Sequence, residues 1–396
     1  MGTSVGVGFS LRKNPADAGK EAALNALQQG NIGKPDMVFV FATVGYNQQL
    51  LIQAIRESTS HAPLSGCSGE GIIAQAAIAE TNFGVCVMAI ASDEISFANV
   101  RVPEIGGELG LAGQRLAAEI QPLLARDSFA CLLFVDGLVF DFDPFRDAFE
   151  KALKFDRHMP LFGGLSADNW SLRKTYQYHD DQVFSEGIAC VLMSGNGQVA
   201  WGVNHGCIPV GTKRTITRSK GNIIYEIDGI PVLKALEEYL EDASESQWNK
   251  MMLNLCLGFK TPPQFRGNYE EFMVRYMVDK NEREGCVTIQ SDVKEGTEFW
   301  FVRRDKELIR HGLHAISQQI REKLGSRKPR FVIQFECMGR GKVVFREQEK
   351  IELQRSLQAE TGPDLPWIGF YTYGEIGPIA GYNCIHNFTS VVVAVY

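Results

Sequence analysis

One strand–helix–strand unit is written three times along this chain, and a repeat of that size has to stack its copies and carry comparable loops to comparable sheet ends. In each copy an apolar strand runs into a helix, the helix stops near a proline, and Pro-x-x-Gly opens a polar loop that leads to a second apolar strand. Copy one reads Met37 to Phe41, a helix near Gln48 to Glu57, Pro63-Leu64-Ser65-Gly66-Cys67-Ser68-Gly69, then Gly84 to Ile90. Copy two reads Cys131 to Val135, a helix from Pro144 to Leu153, Pro160-Leu161-Phe162-Gly163-Gly164-Leu165-Ser166, then Gly187 to Leu192. Copy three reads Phe331 to Phe335, a helix near Gln348 to Leu357, Pro366-Trp367-Ile368-Gly369-Phe370-Tyr371, then Ser390 to Val395.

A further helix is expected in front of each copy, over Ala16 to Leu27, Leu109 to Leu124 and Leu308 to Leu324. In the last, Ile309, Leu313, Ile316, Ile320 and Leu324 recur at three- and four-residue steps and form one stripe that must face a sheet. Between copies two and three lie strand signals at Val199 to Val203, Thr212 to Thr217, Asn222 to Ile227, Phe272 to Val278, Cys286 to Gln290 and Glu298 to Val302, joined by polar turns that favour antiparallel pairing. Asp228-Gly229-Ile230-Pro231 turns a strand into a helix from Pro231 to Tyr239. The pattern predicts a mixed α/β fold: repeated β-α-β units in mixed, largely antiparallel sheets flanked by helices, in two domains, 1–230 and 231–396.

With 45% hydrophobic and 22% charged residues over 396, the composition is that of an ordinary globular protein. A net charge of −7 without a long basic run leaves no phosphate-neutralising surface, which argues against nucleic acid. The sequence contains no apolar stretch of the roughly 20 residues that a membrane helix needs and no basic-then-apolar leader, so a cytoplasmic, non-membrane protein is expected. Nine cysteines without a C-x-x-C pair fit reduced cytosolic thiols better than disulfides or zinc.

Gly66-Cys67-Ser68-Gly69-Glu70-Gly71 looks like a phosphate cradle, but it follows a helix and precedes a strand, the reverse of a nucleotide-binding loop. Cys67, in a loop of small residues, is the candidate nucleophile if the chain is an enzyme, although no Cys/His signature accompanies it. At the end of the copy-three strand Arg340 could pair with Glu375 across facing loops, or clamp a ligand carboxylate while Tyr373 donates a hydrogen bond. His205, in a turn between strands, and His386, just before the last strand, are turn or core histidines or, alternatively, axial ligands for a non-covalently held haem; His179 ranks third.

These residues together resemble the FIST proteins, named for F-box and intracellular signal transduction, over almost the full length. The N-terminal FIST domain is matched by Gly66-Cys67-Ser68-Gly69-Glu70, by Pro160-Leu161-Phe162-Gly163-Gly164 with Asp168, and by His205-Gly206-Cys207-Ile208-Pro209-Val210-Gly211 leading to Thr215-Ile216-Thr217. The C-terminal domain is matched by Phe335-Glu336-Cys337-Met338-Gly339-Arg340-Gly341, by Gly369-Phe370-Tyr371-Thr372-Tyr373-Gly374-Glu375-Ile376-Gly377, and by His386-Asn387. The resemblance implies a sensory module rather than an enzyme, reporting to a separate partner such as a histidine kinase or a cyclic-di-GMP enzyme. A stand-alone subgroup is associated with haem and nitric oxide; amino acids or related small molecules are the other ligands implied, and a Cys-dependent enzyme acting on amides or carboxylates is the contrasting reading. Ligand-facing candidates are Cys67 and Ser68 from copy one, Gly164 and Asp168 from copy two, and Arg340, Tyr371, Tyr373 and Glu375 from copy three, with His205 and His386 for iron. Homo-oligomerisation stays open, as does whether there is one cavity or two.

Overall fold

The structure is a computed structural model that describes residues 2–75, 77–242, 244–267 and 269–396. Copy one comprises β1 (Thr3–Ser10), α1 (Pro15–Gly30), β2 (Met37–Ala42), α2 (Gln48–Ser58), β3 (Leu64–Ser68), the hairpin β4 (Ile72–Ala74) and β5 (Ala77–Ala79), and β6 (Val85–Ser92). Copy two has the same order: β7 (Ile95–Val102), α3 (Leu109–Ile120), β8 (Ala130–Val135), α4 (Phe142–Ala152), β9 (Leu161–Leu165), the hairpin β10 (Gln177–His179) and β11 (Gln182–Phe184), and β12 (Ile188–Gly195).

Copy three opens with β13 (Val199–Asn204) and is then interrupted by an inserted unit: β14 (Cys207–Lys220), β15 (Ile223–Ile227), β16 (Ile230–Pro231), α5 (Val232–Leu236), α6 (Glu245–Asn254), β17 (Leu255–Lys260), β18 (Phe272–Arg275), β19 (Met277–Asn281), β20 (Cys286–Ile289) and β21 (Glu298–Arg304). It resumes with α7 (Lys306–Leu324), β22 (Phe331–Cys337), α8 (Glu347–Thr361), β23 (Trp367–Thr372), the hairpin β24 (Glu375–Ile379) and β25 (Tyr382–His386), and β26 (Ser390–Val395). The inserted strands pair antiparallel in one sheet, β18-β17-β21-β14-β15-β20-β19, as their alternation predicts.

The three copies build three six-stranded sheets of one design, β1-β6-β2-β3-β10-β11, β7-β12-β8-β9-β24-β25 and β13-β26-β22-β23-β4-β5. In each, the two strands joined by the α2, α4 or α8 helix run parallel, as a helical crossover requires, and the rest pair antiparallel. Each sheet is completed by a hairpin from another copy. Copy one lends its hairpin to the sheet of copy three, copy two to copy one, and copy three to copy two.

Side-chain alternation fixes which face looks where. Met37, Phe39 and Phe41 point into a central core with Leu132 and Phe134 of copy two and Ile333 and Phe335 of copy three. Val38 and Val40 face α1 and α2, and Leu133 and Val135 face α3 and α4. Burial on both faces explains why these strands read as continuous apolar runs. The glycine of each Pro-x-x-Gly sits in the parallel pair against one carbonyl of its neighbour: Gly66 against Val40, Gly163 against Leu133 and Gly369 against Gln334. A Cβ at any of them would strike that backbone.

Candidate functional site

The loops that follow β3, β9 and β23 are laced together. Tyr371 exchanges backbone hydrogen bonds with Glu70 and Gly71, Tyr373 and Gly374 with Leu165, and Ala167 donates to Ser68. The equivalent bends do gather, but the space between the sheets beneath them is filled by the phenylalanine core. The recess opens to one side, between the copy-two and copy-three loops and the inserted unit.

That recess is a cavity of about 340 Å³. Gly137, Leu138, Trp170 and Leu172 of copy two form one wall. Cys337, Met338, Tyr373, Asn387 and Phe388 of copy three form another, and Leu253, Tyr276, Val278, Asp279 and Gln290 of the inserted unit close the third side. Bulky side chains in left-handed backbone conformation cluster here: Trp170 (φ 60°), Leu172 (φ 49°) and Phe388 (φ 56°). Each costs on the order of 1–3 kcal/mol and persists only where surrounding contacts hold it, an arrangement concentrated at binding sites.

Asp168 supplies that hold for the copy-two loop. Its Oδ1 accepts from the Tyr373 hydroxyl (2.8 Å) and the Leu172 amide (3.0 Å), and its Oδ2 from Ser171 Oγ (2.6 Å) and the amides of Arg173 (2.7 Å) and Lys174 (2.9 Å). Burial alone would raise its pKa, but the donors outweigh it and the carboxyl titrates below the usual range. The Tyr373 hydroxyl also receives the Trp170 amide (3.0 Å), and that amide reaches Glu70 of copy one (3.1 Å), whose other oxygen binds Lys342 (2.9 Å). One aspartate and one tyrosine therefore set the cavity wall.

The other sequence candidates lie elsewhere. Cys67 is not in an exposed loop: it is the fourth residue of β3, fully buried in the central core, where desolvation drives its thiol well above the ordinary range. A thiol there has neither access nor thiolate character. Ser68 donates to Ala167 O (2.8 Å) and accepts from the Tyr176 amide (3.0 Å), so its hydroxyl serves the lacing of the loops. Gly164 lies opposite Glu375 in the β9–β24 pair and leaves room for Thr372 and Phe370.

Arg340 does not pair with Glu375. Its Nε donates to Glu336 Oε1 (2.7 Å) and its Nη1 to the carbonyls of Asn204 (2.9 Å) and His205 (3.0 Å), because β22 passes into a single helical turn that brings residue 340 back over residue 336. Glu375, fully buried, accepts from Thr372 Oγ1 and from the Thr389 amide (3.2 Å); burial raises its pKa. Arg340 and Tyr371 border a separate recess under α8 with room for about one water molecule, roughly 20 Å³. Of the eight ligand-facing candidates, Tyr373 alone is on the wall of the large cavity, with Asp168 bracing it.

Neither histidine candidate fits haem iron. His205 donates from Nε2 to Phe272 O (2.8 Å) and accepts the Cys207 amide at Nδ1 (2.8 Å). His386 donates from Nε2 to Gly377 O (2.9 Å) and accepts the Tyr269 hydroxyl at Nδ1 (3.2 Å). Both rings are buried and neutral, and desolvation lowers both pKa values, that of His386 to about 3. With both ring nitrogens engaged, no lone pair is free for iron, and neither ring borders the cavity. His179 points its Nε2 at Asn99 O (3.3 Å) on a different sheet face. Among the described residues no group of three or more His, Cys, Asp or Glu side chains could hold a metal ion, and no helix is long and apolar enough to cross a membrane.

Cavity residues that the sequence reading missed are of two kinds. Cys337, Met338 and Asn387 stand inside motifs already singled out for their neighbours. Trp170, Tyr276 and Phe388 carry no spacing signal: Trp170 and Phe388 are aromatics in turns, and Tyr276 stands at the break between β18 and β19.

A FIST N domain model matches residues 36–230 and a FIST C domain model residues 233–378. The chain belongs to the FIST family. FIST domains are sensor domains of signal transduction, and the two matches meet inside the inserted sheet, between β15 and α5. An uncharacterised protein of Mycobacterium tuberculosis is 25% identical over 397 residues, covering 98% of both chains. An uncharacterised protein of Methanocaldococcus jannaschii is 25% identical over 370 residues, 85% of this chain and 67% of that one. Among solved structures, a chorismatase aligns at 10% identity with TM-score 0.34 over 100% of this chain and 99% of its own. A cyanuric acid hydrolase from A. caulinodans aligns at 12% identity and TM-score 0.31, over 99% of each chain. Similarity that low bears on neither the fold nor the activity of this FIST protein.

Proposed function

We propose that this FIST protein senses a small molecule in the cavity beside Tyr373 and passes the signal to a separate signalling protein. The supporting observation is the composition of the walls: a pocket of drug-sized volume, mostly apolar, with Trp170, Leu172 and Phe388 in left-handed conformation and with the copy-two loop held to copy three by the Asp168–Tyr373 and Trp170–Tyr373 hydrogen bonds. Copies two and three and the inserted unit all contribute to it, so an occupant touches both the three-copy scaffold and the insertion. A ligand that binds one arrangement better than another shifts their populations, and nothing more is needed for a signal.

This reading assigns no haem to His205 or His386, because both nitrogens of each imidazole are engaged. Native mass spectrometry of the purified protein tests the site, comparing wild type with Leu138→Trp, which fills the cavity mouth. A co-purifying small molecule lost in the variant supports the reading. Identical ligand occupancy in both forms refutes it, and a Soret band after haemin addition that vanishes in His386→Ala would reinstate the haem version.

A further inference from the structure

Resting on that reading, the cavity wall specifies the charge of its occupant. Trp170, Tyr276, Tyr373 and Phe388 all line the same 340 Å³, and among the described residues the only charged side chain on the wall is Asp279. No Lys or Arg lines the cavity, and Asp279 makes no ion pair among the described residues, whereas its neighbour Lys280 is committed to Glu245 (2.9 Å) and Glu282 (2.8 Å). Arg304 stands over the Phe388 ring at 4.3 Å but does not line the cavity, and its guanidinium is given to Gly339 O, Leu253 O (2.8 Å) and Asn254 Oδ1 (2.6 Å).

Aromatic faces present negative quadrupole to a cation, and a single uncompensated carboxylate at the rim adds to the same preference. An anionic or zwitterionic ligand would have to desolvate its carboxylate opposite rings and Asp279, with no donor cation to receive it. We infer that the cavity takes an organic cation, an amine or quaternary ammonium on an apolar body, with the charged head among Trp170, Tyr276 and Tyr373 and near Asp279. Exposed Leu138, Leu172 and Val278 at the rim would receive the apolar remainder.

The test uses three probes of one shape in titration calorimetry with the full chain: benzyltrimethylammonium, the uncharged neopentylbenzene and the anionic benzylsulfonate. The cation is expected to bind about tenfold more tightly than the neutral probe, between the exposed and the desolvated strength of one cation–π contact, with the anion weakest. Asp279→Asn, an exposed substitution that leaves the fold alone, is expected to lower cation affinity several-fold and leave the neutral probe unchanged. If the neutral probe or the anion binds as well as the cation, or if Asp279→Asn changes nothing, the charge assignment is overturned while the cavity remains a ligand site. If none of the three binds wild type, or if Leu138→Trp leaves binding intact, the cavity reading falls and takes this inference with it.

Discussion

Replacing Asp168 with asparagine tests whether a carboxylate builds the cavity wall. Five donors converge on its two oxygens, three of them backbone amides, and the residue is 1% exposed. Asparagine offers a single acceptor oxygen. Its best orientation leaves that oxygen facing Ser171 and the amides of Arg173 and Lys174, and turns its NH₂ toward Tyr373 and Leu172. The tyrosine can rotate its proton and accept, but the Leu172 amide then meets a donor. One buried amide loses its partner, at about 1–3 kcal/mol, and the surviving bonds fall from charge-assisted to neutral strength, so a total of roughly 2–4 kcal/mol is expected.

Asn169, Trp170 and Leu172 already carry left-handed strain, so this loss opens the loop before it unfolds the sheets. Hydrogen exchange should show faster exchange at the amides of Leu172, Arg173 and Lys174, and urea denaturation a lower midpoint. The pH sign follows from the lowered pKa. The native carboxyl holds its charge better than the unfolded one, so its contribution is complete above the unfolded value, about 4, and is lost as pH falls below it. The difference between wild type and Asp168→Asn should be flat from pH 5 to 8 and shrink below pH 4. An unchanged midpoint together with unchanged protection at 172–174 would refute the view that this carboxylate organises the wall.

His386, buried neutral with its pKa lowered to about 3, binds no proton in the native state where the unfolded chain does, so wild type should lose about 1.4 kcal/mol per pH unit from this group as pH falls from about 6.5 toward 3; His386→Asn should flatten that part of the acid-denaturation profile. Gly163→Ala drives a Cβ into the Leu133 carbonyl of the parallel neighbour and should destabilise by about 1–3 kcal/mol or more in urea titration, whereas alanine at Gly33, which has open space around it, should be nearly silent. Arg340→Met strands the buried Glu336 carboxylate and should cost about 3–5 kcal/mol by denaturant midpoint, while the Glu336→Gln/Arg340→Met double variant recovers part of it.

Much of the scaffold is written in local patterns. The apolar runs Met37–Ala42, Ala130–Val135 and Phe331–Cys337, the stripe on α7 and the three Pro-x-x-Gly turns were sufficient to place the repeated units. What local pattern does not hold is the exchange of hairpins. Ile72–Ala74 and Ala77–Ala79 are too short to show alternation, and β4 pairs with β23 (Ile368 opposite Ala74) across almost the whole chain. The same limit misplaced Cys67. Ser65-Gly66-Cys67-Ser68 has loop composition, yet it is a strand because small residues are what fit between β2 and β10. Arg340 reads as a ligand clamp until the helical turn after β22 gives it a partner four residues earlier. Tyr373 was visible because a tyrosine at a glycine-rich bend needs an acceptor, whereas Trp170 and Phe388 acquire their role only through backbone conformation.

The exchanged hairpins also bear on how a signal could leave the cavity. Each of the three six-stranded sheets borrows its last two strands from another copy, and copy one is tied to copy three by Glu70–Lys342 (2.9 Å) and Glu80–Lys350. The three-copy scaffold therefore has no internal seam along which one copy could move alone. The inserted unit is different: its chain connections to the scaffold are the short links at 205–206 and at Asp305, and Arg340 holds the first of them by the carbonyls of Asn204 and His205. Besides these links the boundary is held by the packing of Cys207, Cys256, Val274 and Val302 against Cys337 and Phe388 and by the Tyr276 amide on Asn387 Oδ1 (3.0 Å), so a movement of the insertion has to repack this seam rather than a whole sheet. The cavity lies on that boundary, next to the helical turn that carries Met338 and Arg340. In the proposed reading, an occupant that presses on Met338 would act two residues from the guanidinium that holds the carbonyls of Asn204 and His205, which would give ligand occupancy and the scaffold–insertion link a common mechanical element.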